Sequence, residues 1–237
     1  MENGRSSSLA ENIVKINKRV SEALSRSEDS KRDVRMIAVS KTFPAERISE
    51  ALHAGLFRFG ENRVQEILSK SVQLSNKRIE WHFIGHLQTN KIKKLLEVPT
   101  KYIHSVDRLE VAVELESQLQ KRGESREILV EVNTSGETTK SGVRPDKTIE
   151  LVKAVAKFST IKIKGLMTIG TLMDDIKMVH RCFATLRELS RQIRKEAIDG
   201  VEMLELSMGM SGDFEIAVEE GATMIRIGSA LFGQRER

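Results

Sequence analysis

Short apolar runs alternate with longer amphipathic stretches along the whole chain. The apolar runs are mostly continuous, which is typical of parallel strands buried on both faces. Between them, apolar residues recur every three or four positions, which predicts helices with one buried face. The predicted strands lie near 34–40, 56–60, 81–85, 102–106, 127–133, 163–169, 202–207 and 223–228. The predicted helices lie near 9–27, 44–55, 62–75, 88–97, 107–122, 145–158, 174–197 and 211–221.

Eight strand–helix units in 237 residues predict a closed (β/α)8 barrel of the TIM type, preceded by an extra N-terminal helix. A doubly wound open sheet is the alternative that the same pattern allows. The chain has only three prolines and no tract rich in glycine and serine, so nothing marks a linker. We therefore expect a flexible N-terminal tail at 1–8 and one barrel domain at 9–237.

Composition narrows the classes of partner. The net charge of +5 could suit a nucleic acid, but aromatic residues make up only 4% of the chain, so stacking surfaces are scarce. The basic run at 90–94 alternates with apolar residues at helical spacing and is interpreted as a solvated helix face. The only cysteine, Cys182, excludes an internal disulfide, and no spacing of histidines and cysteines predicts a metal site. No run could span a membrane and the first residues are polar, so we expect a cytoplasmic protein without nucleic-acid or membrane partners.

Two charged residues, one just after a predicted strand and one inside a predicted strand, stand out as candidates for chemistry. Lys41 follows the first predicted strand and shares a face with Ile37 and Val39, which directs it toward the barrel mouth, where active sites are built. A desolvated lysine there could attack an aldehyde. Arg226 lies inside the last predicted strand, where a lone charge must be paired or functional. From the residues alone, Lys41 is either a Schiff-base lysine or an ordinary charge, and Arg226 either contacts a ligand or forms a structural ion pair.

Two turns rich in glycine and serine lie about twenty residues apart near the end of the chain. They are Leu206–Ser211 and Arg226–Ser229, and each follows a short apolar run. In a (β/α)8 barrel, the loops after strands 7 and 8 commonly bind phosphate. Together with Lys41, these turns predict a phosphorylated ligand that carries a carbonyl group.

Six motifs occur in the order seen in one known family. They are Ala38–Thr42 (AVSKT), Phe59–Glu66 (FGENRVQE), Trp81–Gln88 (WHFIGHLQ), Gly165–Met167 (GLM), Leu206–Ser211 (LSMGMS) and Arg226–Ser229 (RIGS). From about residue 9 to residue 235, the chain closely resembles the pyridoxal phosphate homeostasis proteins, also called YggS- or PROSC-like proteins. The resemblance implies the barrel fold of the alanine racemase N-terminal domain. It also implies pyridoxal 5′-phosphate (PLP) bound as an internal aldimine, with no robust enzyme activity for the family as a whole.

The resemblance assigns a role to each residue that matches the family's motifs. It implies an aldimine at Lys41, a ring contact from Asn62, a phosphate contact from Ser207 and from the amides of Gly228 and Ser229, and a contact of Arg226 with the pyridine nitrogen. It implies no catalytic residue and no metal ligand.

Two departures from the family's pattern are mild. Arg63 stands where many relatives have tyrosine, and Ser229 stands where many have threonine. Ser229 keeps a hydroxyl for the phosphate. Arg63 could change the charge of the rim without affecting the aldimine.

An arginine at the pyridine nitrogen restricts the chemistry, because a permanent cation cannot accept the ring's proton. The ring is then a weak electron sink, which argues against transamination and decarboxylation. Alanine racemases add a tyrosine from a second domain, but the single tyrosine here, Tyr102, lies inside a predicted strand, and the chain ends just past the eighth strand. We therefore expect a monomeric, non-enzymatic carrier that takes part in PLP homeostasis and delivers PLP to apo-enzymes. A weak amino-acid racemase and a Schiff-base aldolase are the alternatives.

Overall fold

Eight parallel strands follow one another in chain order around a closed barrel, in which β1 pairs with both β2 and β8. The computed structural model describes residues 8–171 and 175–233. The strands are β1 (Arg35–Val39), β2 (Arg58–Glu61), β3 (Glu80–Phe83), β4 (Thr100–Val106), β5 (Arg126–Glu131), β6 (Ile161–Met167), β7 (Val201–Met210) and β8 (Met224–Ile227). The predicted TIM-type barrel is confirmed, and the pairing of β1 with β8 excludes the open sheet.

Helices connect the strands on the outside of the barrel. They are α1 (Leu9–Ser25), α2 (Ala45–His53), α3 (Val64–Gln73), α4 (Ile92–Leu95), α5 (Leu109–Arg122), α6 (Thr148–Val155), α7 (Ile176–Lys195), α8 (Phe214–Glu219) and α9 (Ser229–Phe232). The helix predicted at 88–97 is instead a 3-10 turn, Thr89–Lys91, followed by the single turn of α4. None of the helices in the described part of the chain is long and apolar enough to cross a membrane.

Apolar side chains pack in two places. The larger core lies between the barrel and its helices, and a small cluster of five buried residues fills part of the barrel's interior. That cluster consists of Ile37, Tyr102, Leu129, Met167 and Met224. Buried polar side chains of β3, β4, β7 and β8 occupy other interior positions, and they matter for the site described below.

The first helix is fastened to the last two. Ser8 caps α1, because its hydroxyl accepts from the Glu11 amide and the Glu11 carboxylate accepts from the Ser8 amide, both at 3.2 Å. Ser8 is the last residue of the tail predicted at 1–8, and residues 1–7 lie outside the described residues. The Asn12 side chain donates to the Leu231 carbonyl at 2.9 Å, and Arg19 contacts Glu215 at 2.6 Å. These contacts place α1 across α8 and α9.

Strand β7 extends three residues beyond its predicted end, to Met210. Its register with β8 shifts between the pairs Ser207–Met224 and Met210–Arg226. Between these pairs, β7 contains one residue more than β8, which is a β-bulge. Gly209 has a φ of +90°, and a Cβ added there would lie 2.5 Å from the Ala217 Cβ, so glycine is required at this irregularity. Consequently, Ser207 lies within the strand, and Ser211 comes first after its end.

Candidate functional site

A cavity of about 630 Å³ opens at the carboxyl ends of the strands, the end where (β/α)8 barrels build their active sites. Its volume suits a small organic ligand or cofactor. Five of the six residues predicted to bind a cofactor line it, namely Lys41, Asn62, Arg226, Gly228 and Ser229. The sixth, Ser207, is not among the lining residues.

The loop that carries Lys41 is held in a defined conformation directly after β1. Thr42 has a φ of +69°, in the left-handed region that threonine rarely adopts, and its amide donates to the Glu66 carboxylate at 2.8 Å. The Phe43 amide donates back to the Ser40 carbonyl at 3.0 Å. These bonds fix the backbone on both sides of Lys41 and keep its side chain at the cavity.

A buried ion pair between Lys70 and Glu61 also contacts the residue before Lys41. Lys70 Nζ lies 2.7 Å from Glu61 Oε1 and donates to the Ser40 carbonyl at 2.9 Å. The Ser40 hydroxyl donates to the same Glu61 oxygen at 2.7 Å. Burial raises the pKa of the Glu61 carboxyl, and the Lys70 ammonium opposes that rise. One cation thus ties the end of β1 to β2 and α3.

Asn62 forms part of the cavity wall after β2, where a glycine of the next strand's loop allows close contact. A Cβ added to Gly85 would clash with the backbone carbonyl of Asn62. Both residues line the cavity, so the absence of a side chain at Gly85 lets the two loops share this wall.

Arg226 lies at the base of the cavity and is only 4% exposed. Its Nη1 donates to Ser207 Oγ and its Nη2 to the Thr168 carbonyl, both at 2.7 Å. Burial lowers the pKa of the guanidinium to about 10, so it remains a cation at neutral pH. Both of these hydrogen-bond acceptors are uncharged groups, and the cation lies next to the cavity.

Ser207, for which the resemblance implies a phosphate contact, is not among the residues that line the cavity. Ser207 is fully buried, and its hydroxyl lies between Arg226 and His104, 3.0 Å from His104 Nδ1. Ser211 lines the cavity instead. Its hydroxyl oxygen accepts from the amides of Gly228 and Ala230 at 3.2 Å each. The predicted meeting of the loops after β7 and β8 is thus present, with Ser211 as the serine that faces the cavity.

Two residues discussed from the sequence lie away from the cavity. The Arg63 side chain is 69% exposed and lies 3.8 Å from Glu66. Tyr102 is buried inside the barrel, with its hydroxyl 3.5 Å from Glu205 Oε1. Burial also raises the pKa of Tyr102 above its ordinary value. Tyr102 therefore neither faces the cavity nor ionises readily.

Sequence reasoning missed a part of the lining that follows β5. The Asn133 side chain donates to the carbonyls of Glu137 and Lys140, at 2.9 and 3.2 Å, and so shapes a loop whose residues 139–141 line the cavity. Glu131, at the end of β5, also lines the cavity and is only 4% exposed. The sequence does contain a signal for Glu131. A charged residue at the end of an apolar run must be paired or functional, as was argued for Arg226.

Comparisons with known proteins agree with this arrangement. The family model of the alanine racemase N-terminal domain matches residues 7–236. A pyridoxal phosphate homeostasis protein of Aquifex aeolicus is 41% identical over 226 residues, covering 95% of this chain and 98% of that protein. The chain belongs to the pyridoxal phosphate homeostasis family. The human pyridoxal phosphate homeostasis protein is 40% identical, over 93% of this chain and 84% of the human one.

Solved structures place this pyridoxal phosphate homeostasis family member among similar barrels. PipY of Synechococcus elongatus with PLP bound superposes with a TM-score of 0.83 at 33% identity, covering 95% of this chain and all of that one. Alanine racemase of Clostridium difficile superposes with a TM-score of 0.71 at 14% identity. The chain covers 57% of that racemase, and the likeness concerns the fold alone.

We expect Glu131 to make the stability of this family member depend on pH. Burial, and then the nearby charge of Asp107, raises the pKa of Glu131 to about 7 from its usual value of 4.5. Between these values the folded protein binds more protons than the unfolded chain, so stability falls as pH rises and levels off above 7. Glu131→Gln should remove up to about 3 kcal/mol of this dependence.

The measurement is urea denaturation of the cofactor-free protein at pH 5 and pH 8. We subtract the free energy of unfolding of the unmodified protein from that of the variant at each pH. This difference should be more positive at pH 8 than at pH 5. Glu46→Gln, at an exposed carboxylate on α2, is the control and should leave the dependence unchanged. The same pH dependence in the Glu131→Gln protein would contradict the assignment.

Proposed function

We propose that this protein binds PLP in the cavity, attached covalently through Lys41, and serves PLP homeostasis as a carrier. One observation carries the proposal. A lysine, a buried guanidinium and a serine–amide cluster line the same cavity of about 630 Å³. These groups match an aldehyde, a pyridine nitrogen and a phosphate, and the volume suits a ligand of that size.

Each end of the cavity has a distinct role in this proposal. Lys41 supplies the primary amine, and Asn62 contacts the ring. The hydroxyls of Ser211 and Ser229 hold the phosphate, together with the amide of Ser229. The Gly228 amide donates to Ser211 Oγ at 3.2 Å, so it positions that hydroxyl and contributes indirectly to the phosphate contact.

Arg226 decides between a carrier and an enzyme. PLP, when bound, supplies an aldehyde that reacts with amines and a ring that can accept electrons when its nitrogen is protonated. The guanidinium has no acceptor for that proton, so it donates to the pyridine nitrogen and keeps the ring a weak electron sink. Tyr102 cannot act as the second acid–base group, because it is buried away from the cavity.

The relatives support the same proposal. Proteins about 40% identical over nearly the whole chain are named pyridoxal phosphate homeostasis proteins, and PipY has been solved with PLP bound. We propose apo forms of PLP-dependent enzymes as acceptors. The cytoplasmic location and the monomeric state stay predictions from the sequence.

Transfer and turnover test the proposal together. The PLP-loaded protein is mixed with an apo-aminotransferase, and the recovery of aminotransferase activity is followed alongside the loss of the carrier's visible absorbance. The same preparation is assayed for racemisation of alanine and serine. We expect transfer, with racemisation no faster than with free PLP.

The alternatives give different results in these assays. Glu131 and His86 both line the cavity. If the protein shows saturable racemisation and Glu131→Gln or His86→Ala removes it, the protein is a racemase and the carrier proposal is wrong. A protein that stays colourless with PLP but forms a borohydride-trapped adduct with a substrate aldehyde or ketone would be a Schiff-base aldolase.

A further inference from the structure

A continuous line of hydrogen-bonded side chains crosses the interior of the barrel, from Arg226 to Glu80 at the opposite end. Arg226 Nη1 donates to Ser207 Oγ at 2.7 Å, and Ser207 Oγ lies 3.0 Å from His104 Nδ1. His104 Nε2 lies 2.9 Å from His82 Nδ1, and His82 Nε2 lies 3.1 Å from Glu80 Oε1. Ser207, His104 and His82 are fully buried. We call this line the interior relay.

The strand period places these residues inside the barrel. Glu80 and His82 are two apart on β3, so their side chains point to the same face. His104 follows Tyr102 on β4 with the same spacing, and His82 and Tyr102 are register partners. The centroids of the two imidazole rings lie 5.2 Å apart. Strands β3, β4, β7 and β8 thus contribute to one polar line inside the barrel.

The donors and acceptors of the relay fit in only one direction. A guanidinium can only donate, so Ser207 Oγ accepts from Arg226; because the Glu80 carboxylate at the other end can only accept, the Ser207 hydroxyl donates to His104 Nδ1. Burial lowers the pKa of both histidines, so each ring is neutral and carries a single N–H. The His104 proton is therefore on Nε2, directed at His82 Nδ1, and the His82 proton is on Nε2, directed at Glu80.

Glu80 fixes this direction at the far end. The hydrogen bond from His82 is the main cause that lowers the pKa of the Glu80 carboxyl, and Arg58 Nε lies 3.1 Å from the same oxygen. A carboxylate can only accept, so reversing the relay would set it against the lone pair of an imidazole nitrogen. A donor-only group at one end and an acceptor-only group at the other leave a single arrangement.

We propose that Ser207, His104 and His82 are positioning residues, which hold the Arg226 guanidinium against the pyridine nitrogen of PLP, with Glu80 setting the direction of the relay. This proposal rests on the proposed function for the contact between Arg226 and the ring. Hydrogen bonds aligned in one direction polarise one another, which strengthens Ser207 as an acceptor for Arg226. The relay thereby keeps the cation in place and the ring nitrogen unprotonated.

The direction of the relay can be measured without any cofactor. Nitrogen-15 NMR of protein labelled at its five histidines, assigned with single His→Gln variants, distinguishes protonated from unprotonated ring nitrogens. We expect His82 and His104 to be neutral with the proton on Nε2. A proton on Nδ1 of either ring, or a second proton on it, would overturn the relay.

Two carboxylates at the same end of the barrel provide a matched pair. Glu80 and Glu127 both line a second cavity of about 550 Å³ there, but only Glu80 contacts a histidine of the relay. Glu80→Ala should leave His82 as a mixture of both tautomers, whereas Glu127→Ala should leave it on Nε2. An unchanged His82 in the Glu80→Ala protein would show that Glu80 does not set the direction.

Cofactor binding tests the positioning role separately. Ser207→Ala and His104→Leu should each weaken binding of PLP and of unphosphorylated pyridoxal by about tenfold, because the relay acts on the ring. They should also shift the nitrogen-15 signal of labelled PLP. Ser207→Thr and His104→Gln keep the donors and acceptors and should restore both readouts. Ser211→Ala is the contrast, since it should weaken binding of PLP much more than that of pyridoxal.

The outcomes separate this inference from the proposed function. If the unmodified protein fails to bind PLP, the proposed function fails, while the histidine tautomers still report on the relay. If PLP binds but folded Ser207→Ala protein keeps the affinity and the ring-nitrogen signal unchanged, the positioning role is wrong and the proposed function stands.

Discussion

Lys41→Ala is expected to abolish covalent attachment of PLP in the cavity. Lys41 lines the cavity in a loop fixed by the strained backbone of Thr42 and by the contacts of Ser40. Alanine removes the side-chain amine that is proposed to attack the aldehyde, and it leaves those backbone contacts in place. The visible absorbance of the bound aldehyde should disappear, and borohydride reduction followed by peptide mapping should find no adduct at this position.

Lys140 provides the matched control for this experiment. It lines the same cavity, but its ammonium lies 2.6 Å from the Glu137 carboxylate and donates to the Gly170 carbonyl at 2.9 Å. Lys140→Ala should keep the absorbance band, with the adduct mapped to Lys41. An adduct mainly on Lys91, Lys140 or Lys164 in the unmodified protein would refute the assignment.

Lys70→Ala is expected to lower the free energy of unfolding by about 3–5 kcal/mol, the range typical when one partner of a buried ion pair is removed. The Glu61 side chain is fully buried and would lose its cation, and the Ser40 carbonyl would lose a donor. The Lys41 loop follows directly, so PLP should also dissociate faster. Urea denaturation and the decay of visible absorbance after dilution measure the two effects.

Two further variants separate the ion pair from a general effect of losing a lysine. Lys77→Ala removes an exposed lysine just after α3 and should change stability by less than about 0.5 kcal/mol. The double variant Glu61→Leu, Lys70→Met replaces the pair with apolar groups and should recover much of the loss. A Lys70→Ala protein as stable as the Lys77→Ala protein would show that the pair does not support β1.

The barrel could be predicted because eight short runs rich in apolar residues alternate with amphipathic helical stretches, as parallel strands covered by helices require. Lys41 and Arg226 could be found for the same reason, since a charge at the end of such a run, or inside it, needs an explanation. Five of the six residues predicted to bind the cofactor line the cavity, and their roles in binding stay predictions.

Ser207 and Ser211 show where the pattern is insufficient. Both follow apolar residues in the same motif, and only the extra residue in β7, with the positive φ of Gly209, decides which one faces the cavity. A bulge depends on how two strands twist against each other and against α8, so it is set by tertiary contacts. The sequence pattern does not reveal the bulge, so the predicted strand ends at Ser207.

The histidines show a different gap. His82 and His104 lie on separate strands about twenty residues apart, and each alone looks like an ordinary core histidine. The spacing of Glu80 from His82 does place both on one face of β3. Their connection to Ser207 depends on which strands meet inside the closed barrel, which single-strand periodicity does not contain.

The pairing of β8 with β1, secured from outside by α1, has a consequence for how the protein is made. Lys41 is synthesised early, but Arg226, Ser229 and the strand that closes the barrel follow it in the chain by more than 180 residues. Contacts between the two ends of a chain have the greatest sequence separation, and they form late. A nascent chain therefore presents its lysine without the groups proposed to retain the cofactor, and we expect loading to follow the synthesis of β8.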